Sequence, residues 1–134
     1  MNKMLGTYGA VLLVMVALDA LWLGIVAKSL YQQAIGHLMA EQPRLGVALV
    51  FYAVFALGLT VFGVWPQATT PGWQKAMGMG ALFGFFCYAT YDLTNLSTLK
   101  GWPMGIALID MAWGAVVSGI SAAAGKVALD RLTV

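Results

Sequence analysis

The chemistry of this chain is concentrated in three aspartates. Of its five acidic residues, Asp19, Asp92 and Asp110 fall inside apolar stretches long enough to cross a bilayer. A carboxylate at that depth costs about 2.5–3.5 kcal/mol on translocon insertion scales, so such residues turn towards a bundle interior or a wet cavity. No lysine, arginine or histidine shares their depth. Without a counter-charge, desolvation and mutual repulsion favour retention of at least one proton near neutrality. Proton exchange, or capture of a cation, is the chemistry these residues imply.

Their neighbours support a shared site. In the third stretch Gly80, Gly84, Tyr88, Asp92 and Asn95 recur at helical spacing, with Tyr91, Thr94 and Thr98 nearby. Gly80 and Gly84 form a small-xxx-small pair that admits a close helix neighbour. In the fourth stretch Asp110, Gly114, Ser118 and Ser121 make a narrow polar face. The second stretch reads as contributing no ionisable group, its Phe51, Phe55 and Phe62 serving as lipid-facing or packing aromatics. Asp19 with Trp22, and Asp110 with Trp113, repeat an Asp-x-x-Trp pattern. Residues three apart share a helix face. Two tryptophans can thus wall an acidic pocket suited to a cationic or amphipathic ligand, through charge and cation–π attraction. In the alternative, each indole packs and its N–H bonds a carboxylate on the next helix.

These residues need helices to position them. The chain is 61% hydrophobic and 9% charged, against about 25% charged in soluble domains. Its mean hydropathy is +0.85. The expected fold is therefore all-α, a single membrane domain over residues 1–134. Four antiparallel spans are read at about Met4–Ala27, Leu45–Trp65, Gln74–Leu99 and Pro103–Gly125, each near the ~20 residues a bilayer requires. The first is read as a retained span, not a cleaved leader. Between the first two spans, Leu30, Tyr31, Ala34, Ile35, Leu38 and Met39 recur at helical spacing. They suggest an interfacial amphipathic helix over about 29–41, capped by Ser29, that lies as a lid. Gly101 suits the C-terminal cap of the third span, and Pro103 the first turn of the fourth. Lys3, Lys75, Lys126 and Arg131 oppose Lys28, Arg44 and Lys100 across the bundle, which favours cytoplasmic termini.

With these bounds the aspartates converge in depth. Asp19 precedes Lys28 by nine residues, Asp92 precedes Lys100 by eight, and Asp110 follows Trp102 by eight. At about 1.5 Å per residue, each lies roughly 12–14 Å below the lid side of the bundle.

Other chemistries are poorly served. The net charge of +2 is small and scattered, so no nucleic acid partner is expected. Cys87 is the only cysteine and reads as packing, and His37, the only histidine, lies in a connection. No metal or cofactor is expected, and no Ser–His or Cys–His pair lies within a span.

The strings YDLTNLSTLKGWP (Tyr91–Pro103), IDMAWG (Ile109–Gly114) and LDALWLG (Leu18–Gly24) carry a resemblance. Over nearly its whole length the chain resembles a family of small bacterial four-span membrane proteins, a predicted membrane protein domain of unknown function. The resemblance implies a bacterial inner-membrane protein and supplies no activity. A looser architectural likeness links it to small multidrug-resistance transporters, whose first-span glutamate has no counterpart here except Asp19.

The leading functional expectation is a small-molecule binding protein or proton-linked transporter in contact with membrane lipids, plausibly as a homodimer. Asp19, Asp92 and Asp110 would accept protons or cations, and Asn95, Tyr88, Tyr91, Trp22 and Trp113 would line the pocket. A second reading is a membrane-embedded enzyme or accessory subunit acting on lipid. A third is a structural protein whose aspartates only fix helix packing.

Overall fold

The computed structural model describes residues 2–133, and among them only helices and their connections occur. The four prolines, Pro43, Pro66, Pro71 and Pro103, fall at or between the ends of the long helices. A missing N–H and a fixed φ end helices there. Helix α1 runs Asn2–Leu21 and continues as a π-helical turn over Trp22–Val26. Helix α2 is short, Lys28–Ile35, with a 3₁₀ turn over Gly36–Leu38. Helix α3 spans Leu45–Leu59, then a π turn Thr60–Val64 and a 3₁₀ turn Trp65–Gln67. Helices α4, Gln74–Thr98, and α5, Met104–Leu132, follow.

Three of these segments, Asn2–Val26, Leu45–Gln67 and Met104–Leu132, are long and apolar enough to cross a membrane. The fourth expected span, α4, is 25 residues long but less apolar than the others. It carries Tyr88, Thr90, Tyr91, Asp92, Thr94 and Asn95 within two turns. The outward faces are those of a lipid-solvated protein, with Leu5, Leu13, Leu45, Val47, Leu49, Val54 and Phe62 all exposed.

Helix α5 is the spine, buried on one face from Ile106 to Leu129, with α4 along one side and α1 along another. Small residues make the α4–α5 contact possible. A Cβ added at Gly80 would lie 2.8 Å from the Ser118 carbonyl oxygen, and one at Gly84 would overlap the Ser118 side chain and the Gly114 carbonyl. Helix α3 leans across the bundle. Phe55, Ala56, Leu59, Thr60, Gly63 and Val64 in its second half are buried, whereas residues 45–54 are exposed apart from half-buried Ala48 and Tyr52. The bundle is therefore tight at one end and splayed at the other.

Several local expectations shift. The connecting helix ends at Leu38 instead of residue 41, and it starts at Lys28 with Ala27 as its N-cap and no side-chain cap, so Ser29 lies inside it. Gly101, at φ 76°, makes the turn after α4, two residues beyond the C-cap Leu99. Pro103 precedes α5 as its N-cap. The last helix continues seven residues past Gly125. Lys126, expected as a boundary charge, is 1% exposed and bonds Asp130 one turn on at 2.6 Å. That pairing lets a lysine stay packed inside the helix end.

Candidate functional site

At the splayed end the four long helices and α2 enclose a cavity of about 480 Å³. Its lining is aromatic and aliphatic save for Asp19 and Asp110, with Tyr31, Tyr88, Tyr91 and Trp102 presenting polar tips. A volume of this order is typical of small-molecule pockets, which pair apolar walls with a few placed polar groups.

Asp19, on α1, is held by two donors. Trp113 Nε1 of α5 donates to Oδ1 at 2.9 Å, and the Tyr52 hydroxyl of α3 donates to Oδ2. The Trp113 indole thus bonds a carboxylate on the neighbouring helix, while its ring stacks on Trp22 at 4.4 Å with planes 8° apart. The π turn begins at Trp22, where the Ala27 N–H reaches back to the Trp22 carbonyl at 2.7 Å. Such turns widen a helix locally and recur at functional sites. Tyr52→Phe is expected to lower stability by about 1–2 kcal/mol, because a buried carboxylate oxygen loses its donor. Thermal unfolding in detergent reads this directly; an unchanged midpoint would show that the tyrosine hydroxyl contributes nothing to Asp19.

Asp110, on α5, accepts from the Tyr31 hydroxyl at 2.7 Å, and Tyr31 in turn accepts from Trp22 Nε1 at 3.3 Å. Tyr31 sits on α2, buried among Ala27, Ile106, Trp22, Ala34, Ile35 and Trp102. Burial, with the neighbouring Asp110 and Asp92 charges adding to it, pushes the Tyr31 hydroxyl well above the usual phenol range. It therefore remains a donor at any physiological pH.

Asp92, on α4, has no exposed surface, and neither carboxylate oxygen has a protein donor. Asp110 on α5 is a neighbouring acid. Asp19 and Asp110 are linked through Trp113, Trp22 and Tyr31.

Of the expected lining residues, Asp19, Asp110, Tyr88, Tyr91 and Trp113 border the cavity. Asp92, Trp22 and Asn95 do not border it, though Trp22 backs Trp113. Thr94 and Thr98 turn away, bonding carbonyls of their own helix. Gly114 and Ser118 pack against Tyr88 and Gly84, outside the cavity. Cys87, read as packing, lies half-buried in the wall. Tyr31 and Tyr52 are the donors that sequence reasoning missed. The reading that the second stretch supplies no ionisable group is corrected by Tyr52, and a hydroxyl in the middle of an apolar run was the available signal. No grouping of three or more His, Cys, Asp or Glu side chains suited to a metal ion occurs among the described residues.

Neither the curated proteins nor the solved structures contain a match to this chain. The family described as "Predicted membrane protein (DUF2177)" matches residues 4–127, every residue of the cavity included, and the protein belongs to it.

Proposed function

We propose that this protein crosses a bacterial inner membrane four times, with cytoplasmic termini and α2 lying in the interface as a lid. It binds a small cationic, amphipathic molecule at Asp19 and Asp110 in exchange for a proton retained at Asp92, which is fully buried with no donor to either oxygen. The cavity carries this reading: two carboxylates stand in an apolar and aromatic lining that includes no basic side chain. As the fourth span, α4 has the required length, and its outward hydroxyls are satisfied in a way lipid tolerates. Thr90 donates to the Phe86 carbonyl at 2.7 Å and Thr98 to the Thr94 carbonyl at 2.8 Å. Release of the bound molecule on one side and of the proton on the other would make the same site a transporter.

A cation that displaces a proton binds more tightly as pH rises, by up to about tenfold per pH unit for one proton exchanged. Asp92→Asn keeps the shape of the side chain and removes the exchangeable proton. Binding of tetraphenylphosphonium to protein in nanodiscs is expected to tighten with pH in the wild type and to be flat in Asp92→Asn, with the melting temperature retained. A pH-independent wild type, or a variant with the wild-type profile, would overturn the proposal.

A further inference from the structure

We infer, on the reading of the cavity as a cation site, that its ligand is a single-chain amphiphile with a cationic head, entering sideways from the lipid between α3 and α4. The opening follows from the lean of α3. Contact between the two helices starts where Gly63 meets Gly80, continues through Phe62 and Phe83 at 5.6 Å, and reaches Phe55 and Tyr88 at 6.0 Å. Beyond that point no aromatic pair joins them among the described residues, and the ring partners of Phe51 there are Tyr52 and Phe55 of its own helix. Phe51 on α3 and Tyr91 on α4 both line the cavity, yet they are 44% and 54% exposed. They form the two lips of a lateral mouth. The approach from the end of the bundle is covered by α2, whose Tyr31 is buried and tied to Asp110.

Polarity is ordered along the cavity. The carboxylates belong to α1 and α5, whereas Phe51, Phe55, Tyr88 and Tyr91 of the lining belong to the mouth helices α3 and α4. An entering molecule thus meets its charge partner deep and leaves its tail near Phe51 and Phe55. Size sets the class. At about 30 Å³ per water-sized group, the cavity holds roughly sixteen such groups, enough for a head and one chain but far short of a two-chain phospholipid.

The test uses protein in nanodiscs of zwitterionic lipid with three probes: tetramethylammonium, dodecyltrimethylammonium and dodecyl sulfate. Dodecyltrimethylammonium is expected to bind at least about tenfold more tightly than tetramethylammonium, and dodecyl sulfate not to compete. A dodecyltrimethylammonium carrying a diazirine at the end of its tail should label peptides covering residues 45–59 and 87–91, and unlabelled probe should displace that label. Displaceable label on residues 28–38 instead would place entry under the lid and overturn the route. Equal affinity of the two ammonium probes, still rising with pH, would overturn the single-chain class while leaving the cation site standing. Binding of neither ammonium probe would overturn both.

Discussion

Gly84→Val is expected to separate α4 from α5, with a loss of about 3 kcal/mol and a collapse of the monodisperse peak in detergent. Overpacking a close contact costs about 1–3 kcal/mol when neighbours can yield. Here a side chain would meet the Gly114 carbonyl and the Ser118 side chain at once, and backbone cannot move aside as a flexible side-chain tip does. The contact also matters to the site, because Tyr88, which lines the cavity, packs onto Gly114 one turn along. Gly9→Val is the matched control, since nothing lies within 4 Å of a Cβ at that position. Fluorescence-detected size exclusion with a thermal ramp separates the two. Equal melting temperatures for both variants would mean that the α4–α5 spacing is not set by the glycines.

Tyr31→Phe is expected to free α2. A hydrogen bond to a charged group contributes about 1.5–3 kcal/mol, so opening of the helix should become roughly 10–100-fold more frequent. The apolar contacts of the ring with Ile106, Ile35 and Trp102 remain, and Asp110 loses its donor from the lid. Hydrogen exchange of the backbone amides in residues 28–38 reports this opening, and amides of α5 near Val117 and Ala122 should stay protected. Wild-type protection over residues 28–38 would show that packing alone holds α2 in place. Because burial keeps the Tyr31 hydroxyl protonated well above neutrality, the protection in wild type should not change with pH through any titration of Tyr31 itself.

Much of this protein was legible in its residues. The apolar runs and the four prolines delimit the long helices, because hydropathy and the missing N–H act locally. Glycines at i and i+4 in α4 announce a close neighbour, and Asp19 and Asp110, at similar distances from the connections, border one cavity. Membership of the membrane-protein family was likewise legible, in strings that contain the aspartates themselves. What one chain's periodicity cannot convey is which side chain on one helix meets which on another. The donors to Asp19 and Asp110 come from Tyr52 and Tyr31, at sequence separations of 33 and 79 residues, and neither pairing is implied by local spacing. Trp22 and Trp113 share a pattern but not a role, since stacking puts one behind the other. The cavity itself arises from the angle of α3, buried on one face from Phe55 to Val64 and largely exposed before them. That angle is set by close glycine packing at one end and by the hydrogen bonds of Tyr52 to Asp19 and Tyr8 to the Ala53 carbonyl at the other, a balance that only the packed tertiary structure decides.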